Sequence, residues 1–204
     1  MSFNISITSN VVDAVAAMEK MPDKIIWDAT RVSINRALVT GRKEAGKTLR
    51  ERLNVKSRDM KQKIKASKAR GSNLRSLEGV LSFDDTPIPL LEFVRGNKNL
   101  IKQKGIKVRK RRKLKVEITR GKKFHIKGGF IQKVRSKQLF KRGNSGKLYK
   151  QSAPSVGEWV MRKQFKFPIA KAMRQSFRKN LRNQIDFRLE RESNRVASSR
   201  MRKV

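Results

Sequence analysis

Apolar and polar positions alternate over Phe3-Asn4-Ile5-Ser6-Ile7-Thr8, which predicts a half-buried strand. Ser9 or Asn10 is placed to cap a following helix whose apolar face is Val11, Val12, Val15, Ala16 and Met18. Pro22 redirects the chain into the first turn of a second, longer helix over residues 23 to 53. There Ile25, Ile26, Ala29, Val32, Ala37, Leu38, Ala45 and Leu49 recur at spacings of three and four. Asp23 and Asp28 lie toward its start and Arg50 and Arg52 at its end, as the helix dipole favours. Gly41 and Gly46 weaken this helix and predict a bend or a close helix contact. Residues 57 to 69 read as a shorter, mostly cationic helix capped by Ser57, with only Met60, Ile64 and Ala66 to bury; such a helix lies on the surface or against an anion.

From Leu74 the period shortens. Leu74 to Phe83 alternates imperfectly. Pro87 and Pro89 around Ile88 argue against a central strand, while Leu90, Leu91, Phe93 and Val94 suit an edge. Residues 95 to 105 read as a loop. Leu114, Val116 and Ile118 alternate with Lys113, Lys115 and Glu117, and Arg120-Gly121-Lys122 turns the chain into a second strand, Phe124 to Ile126. After Gly128-Gly129 the strand resumes at Phe130-Ile131, and a Gly-, Asn- and Ser-rich turn over 141 to 147 leads to Leu148-Tyr149. Residues 154 to 164 fit no single pattern. Pro168 opens the best helix, with Ile169, Met173, Phe177, Leu181, Ile185 and Leu189 four apart in one stripe. Beyond Glu192 apolar content falls, which predicts a frayed basic tail.

These elements predict an α+β fold: a small, mostly antiparallel sheet with a basic β-hairpin, flanked by a long helix in the N-terminal half and a long amphipathic helix at the C-terminal end. At 204 residues one domain is expected over 1–192, with a basic hairpin or loop insertion at about 95–150 and a tail over 193–204.

Charge changes the picture more than length does. Lys and Arg total 53 against 16 Asp and Glu, a formal net charge of +37. Residues 1 to 30 hold four acids and two bases; the basic excess begins near Arg31. Between residues 95 and 150 there are 22 Lys or Arg and one acid, Glu117. Charge of one sign at this density repels itself, so an anionic polymer or an acidic protein surface is expected against it. A merely solvated face explains five or six charges, not this block.

The remaining residues argue against catalysis. The lone His125 stands in the basic hairpin between Phe124 and Ile126 and reads as a strand residue. The Asp84-Asp85 pair precedes Thr86-Pro87, where turn or cap duty is the plain reading. No spacing resembles a metal site, a nucleophile elbow or a P-loop, and no cofactor or metal is expected. There is no cysteine, which excludes disulfides and thiolate metal sites. No apolar run approaches the roughly 20 residues a membrane span needs. The N-terminus lacks a signal-peptide pattern, so a cytoplasmic site of synthesis and assembly is expected. Trp27 and Trp159 invite base stacking but suit core or interface positions better. Any nucleic-acid contact is expected through phosphates.

The order of several short motifs carries a resemblance. Ile34-Asn35-Arg36-Ala37 in a long helix is followed by the basic run 55–65, Ile88-Pro89-Leu90, the Arg- and Lys-rich stretch 107–115, Gly129-Phe130-Ile131-Gln132, and Pro168 before an amphipathic helix. In that order, over roughly residues 30 to 190, the chain resembles the minor tail protein Z family of long-tailed phages and prophages. The resemblance implies a structural virion protein: a tail-completion or neck component at the head-proximal end of the tail. It implies a homo-oligomeric ring, commonly a hexamer, touching tail terminator or tube and head–tail connector proteins, with genomic DNA in the lumen. In this setting Lys107, Arg109, Lys110, Arg111, Arg112, Lys113 and Lys115 are the expected contacts to DNA or an acidic partner, with Lys122, Lys123 and Lys127 behind them. The stripe from Ile169 to Leu189 is intrachain core or subunit interface, and the mildly acidic N-terminus is suited to dock on a basic neighbour. The competing reading is a standalone, sequence-nonspecific nucleic-acid-binding protein.

Overall fold

In the computed structural model of the protein, the described residues are 3–8, 23–94, 114–126, 129–133 and 137–201. The architecture is α+β, two long helices against small antiparallel sheets. Strand β1 (Phe3–Thr8) is followed by helix α1 (Asp23–Arg52), helix α2 (Ser57–Lys63), β2 (Ile64–Arg70) and β3 (Glu78–Phe83). Then come the short β4 (Ile88–Pro89), a 3-10 turn (Leu90–Phe93), β5 (Leu114–Val116), β6 (Phe124–Ile126), β7 (Gly129–Lys133), β8 (Lys137–Arg142), β9 (Leu148–Lys150) and β10 (Ser152–Ala153). Helices α3 (Val156–Met161) and α4 (Lys163–Met201) finish the order. The predicted helix over residues 11–18 and the loop over 95–105 lie outside the described residues.

The two long helices pack antiparallel. Arg188 reaches Asp28 at 3.4 Å, Thr40 Oγ1 lies 3.0 Å from Ser176 Oγ, and Arg52 donates to Gln164 Oε1 at 2.6 Å. On α1 the buried positions Ile26, Ala29, Ile34, Ala37, Leu38, Ala45 and Leu49 keep the helical period. On α4, Phe165, Ile169 and Met173 enter the main core, while Leu181 and Ile185 form a smaller cluster with Ala29. The other side of α1 covers a three-stranded sheet ordered β1-β3-β2, in which central β3 buries Gly79, Leu81 and Phe83 alternately. Leu81 and Phe83 share one cluster with Ile34 and Leu38, and Asn35 Oδ1 accepts from the Ala69 amide at 2.8 Å.

Several sequence expectations change. The helix predicted over 57–69 ends at Lys63, and Ile64 to Ser67 become a strand paired with Phe83 to Val80. A strand there offers its backbone to β3, and the 2.9 Å bond from the Asp84 amide to the Lys63 carbonyl starts the ladder where the helix stops. Helix α2 does lie on the surface, with Ser57, Arg58, Lys61 and Gln62 exposed, and it sends only Met60 into the main core. Leu90 to Phe93 turn as a 3-10 helix instead of pairing, and only Val94 bridges to Val116. Strand β8 has no clear alternation, yet it holds the centre of a sheet ordered β7-β8-β9.

The ambiguous stretch after Pro154 is a capped helical turn. Ser155 Oγ accepts from the Glu158 amide at 3.0 Å and donates to Asp85 at 3.0 Å. Helix α4 begins at Lys163, before Pro168, because Arg162 caps it: the Phe165 and Lys166 amides both donate to the Arg162 carbonyl. Pro168 therefore sits in the second turn, where it removes one donor, that to the Gln164 carbonyl. Helix α4 also runs on through residues 193–201, where a frayed tail is predicted. Among the described residues no helix is long and apolar enough to cross a membrane.

Candidate anion-contact surface

The basic hairpin forms as its alternation predicts. Leu114, Lys115 and Val116 pair with Ile126, His125 and Phe124. Val116 is fully buried and Ile126 nearly so, whereas Lys115 and His125, opposite each other, are exposed. The hairpin faces the core with Val116 and Ile126 and solvent with its cations, and Phe124 is 41% exposed. At its tip Gly121 has φ +81, a conformation that side chains beyond glycine rarely adopt, and the Lys122 amide donates to the Thr119 carbonyl at 3.0 Å.

Two backbone bonds pin this tip to the end of α1. The Asn54 amide donates to the Ile118 carbonyl at 2.9 Å, and the Arg120 amide to the Arg52 carbonyl at 2.8 Å. The second bond satisfies one of the carbonyls that a helix leaves open at its C-terminus. It also sets the exposed Arg120, Lys122 and Lys123 beside the cationic last turn of α1. Glu117, the single acid of the block, is 5% exposed, and its carboxylate accepts from the Gly121 amide at 3.0 Å. It serves the fold of the turn. The alternation of the strand suggests an outward Glu117; the tight turn folding back over it overrides that.

Of the predicted contact residues, Lys115, Lys122 and Lys123 are exposed on this hairpin, and none forms an ion pair among the described residues. Lys107, Arg109, Lys110, Arg111, Arg112, Lys113 and Lys127 lie outside the described residues. In the α4 stripe, Ile169, Met173, Leu181 and Ile185 are buried within this chain, Phe177 is half-buried between the two clusters, and Leu189 is 39% exposed.

The remaining candidate chemistry is structural where it can be seen. Asp84 accepts from the Thr86 hydroxyl at 2.7 Å, the Thr86 amide at 2.9 Å and Lys63 Nζ at 2.9 Å. These bonds, the hydroxyl first, lower its pKa from 3.8 to about 2. Trp159 is buried, edge-on to Phe165 at 6.1 Å, with the Arg162 guanidinium 4.0 Å from its ring centre. Trp27 is half-buried against the core, with Arg31 4.6 Å from its ring centre. Neither ring is laid open as a stacking platform. Among the described residues no three His, Asp or Glu gather as a metal group would require.

What composition and pattern leave unannounced is an apolar groove between α1, α2 and β2, of about 640 Å³. Ala66, on the inward face of β2, and Val39, on α1, are exposed there. The one sequence signal for it is Val39, an apolar residue that falls off the buried period of α1.

No curated protein and no solved structure matches this chain. One family model does, that of the prophage minor tail protein Z, over residues 10–204. With nearly the whole chain inside that match, including the hairpin and both long helices, the protein belongs to the prophage minor tail protein Z family, whose members are structural components of the phage tail.

Proposed function

We propose that this minor tail protein completes the tail at its head-proximal end. It does so as a closed homo-oligomeric ring, hexameric in the simplest case, that joins the tail tube or its terminator to the head–tail connector. The basic block, with Lys115, Lys122 and Lys123 on its described hairpin, then faces the genome end in the lumen or the acidic surface of an adjoining ring. In this role the chain is a scaffold and not a catalyst, and it resides in the virion after assembly in the host cytoplasm.

The observation that carries this reading is the imbalance of 22 cations against one acid between residues 95 and 150, in a chain that belongs to a tail family. That acid is spent on a turn. A ring would repeat the same uncompensated field in every subunit, and such a field is relieved by polyanion or by acidic neighbours. The exposure of Lys115, Lys122 and Lys123 beside the end of α1 supports it.

The test is a cryo-EM map of the whole particle. The expected result is a closed ring of this chain between portal and tube, with density against the basic hairpin. A chain that is strictly monomeric and missing from purified particles overturns the reading.

A further inference from the structure

Strand β2 lies at the edge of its sheet, bonded to β3 on one side and to no other strand among the described residues. The bond from the Asp84 amide to the Lys63 carbonyl fixes which residues of the ladder face β3. By the alternation of an antiparallel pair these are Lys63, Lys65 and Ser67, so Ala66 directs its amide and carbonyl outward. Proteins usually blunt such an edge with a bulge, a cover or a charge. Here the blunting is confined to the far end. The register shifts between Ser67 and Arg70, and Asn35 occupies the Ala69 amide at 2.8 Å.

Beside the open stretch runs the groove of about 640 Å³. Its floor is apolar: Leu38 and Val39 from α1, Met60 from α2, and Ala66 from β2. Val39 is 53% exposed, an apolar side chain left uncovered in a chain of net charge +37. The rim is cationic, and no Asp or Glu lines it. Arg42 and Arg50 are engaged with the Lys61 and Gly46 carbonyls at 2.8 and 2.7 Å. Lys43, Lys61 and Lys68 are exposed and form no ion pair among the described residues.

We propose that this groove binds an extended peptide segment of alternating apolar and acidic residues, supplied by a neighbouring protein, which adds a strand to the free edge of β2. Each part of the site matches one property of that ligand. The outward backbone groups of β2 continue the ladder and give affinity without regard to sequence. The period of two in a strand turns every second side chain to the apolar floor, and the acids between them bring negative charge within reach of the rim lysines. A nucleic acid uses the cations but has no peptide groups for the edge and nothing to place on Val39. A second copy of this chain brings a net charge of +37 to a positive rim, against which the two-charge acidic excess of its residues 1–30 is small. Only the whereabouts of the partner rests on the tail-completion reading; binding at the groove stands without it.

The experiment uses the full chain and a fluorescent peptide alternating Val and Glu, followed by anisotropy, with hydrogen exchange at the Ala66 amide. Binding that slows exchange at Ala66, and that weakens about tenfold in Lys43→Glu/Lys68→Glu, is the expected result. Circular dichroism of the variant shows that it is folded, and the milder Lys43→Gln replaces it if it is not. Equal binding by a peptide with its Val and Glu sorted into two blocks overturns the proposal, as does equal binding by the charge-reversed variant. Displacement of the peptide by a single-stranded oligonucleotide of the same charge, with no protection of Ala66, makes the groove a phosphate site. Protection of Ala66 in the peptide-free protein that disappears on dilution assigns the edge to a second copy. The map of the particle tests the ring independently, so either idea can fail alone.

Discussion

Gly41 on α1 and Met173 on α4 share one space: a Cβ at residue 41 would stand 2.5 Å from both Cγ and Sδ of Met173. The thioether lies against bare backbone, and Gly41 is the close helix contact that its position in the sequence predicts. Gly46, one turn on, has nothing within 4 Å of such a Cβ and opens instead toward the groove.

Gly41→Ala gains up to about 1 kcal/mol of helix propensity and loses about 1–3 kcal/mol to overpacking, because Met173 is buried and has little room to move. Net destabilisation is expected by urea denaturation. Met173→Ala should cost about 2–5 kcal/mol alone, and the double variant should be more stable than the sum of the two. Simple additivity would show that the two sites do not touch.

The aromatic residues of the C-terminal third divide by burial. Phe165→Ala should cost about 3–5 kcal/mol, since the ring is fully buried between Trp159 and the Arg52 guanidinium, 5.7 Å from its centre. Phe187→Ala, at a position 57% exposed, should change stability by no more than about 0.5 kcal/mol. Thermal melts of the two variants check the ranking. A large loss at Phe187 would mean that an interface covers it.

Asp84 gives a pH dependence. Its carboxyl is held at about 2 by Thr86 and Lys63, below the unfolded value of 3.8, so the unfolded chain takes up the proton first as pH falls. The stabilisation is therefore complete above about pH 4 and disappears as pH drops through about 2. Asp84→Asn should lower the urea midpoint at neutral pH, and the gap to the parent should close over that acid window. A gap that stays constant with pH would remove the carboxylate from the account.

The exposed hairpin lysines should separate folding from contact. Lys115, Lys122 and Lys123, each changed to Gln, should leave stability within about 0.5 kcal/mol per site. If they meet phosphates, the slope of log affinity for duplex DNA against log salt should flatten by about 0.9 for each cation removed. The same change at Arg109 to Lys113 extends the test to the densest part of the block. Lost folding would make these side chains structural, and an unchanged slope would assign them to a protein partner.

How legible each element is follows from how locally it is specified. Helix α1 is written in its own spacing, because residues three and four apart meet on one face whatever surrounds them. The hairpin of β5 and β6 is equally local, since its two strands are joined by seven residues with a glycine where the turn needs positive φ. The Asp84 turn follows from Asx chemistry two residues on. Strand β2 is different: its Lys-rich sequence fits a helix on local preference, and its true partner, β3, begins eight residues after it ends. The groove has no sequence signature of its own, since three separate elements make it.

The sequence by itself determined the charge, the family and the periodic helices and hairpin, because each is a property of neighbouring residues or of their sum. Tertiary structure alone decided that residues 64–70 leave the helix for a sheet edge, that Glu117 turns inward, and that α4 starts ahead of its proline. For residues 64–70 the pairing with β3 outweighs a local preference worth only about 1 kcal/mol per residue, while Glu117 and the start of α4 are set by bonds to the Gly121 amide and the Arg162 carbonyl that periodicity does not register.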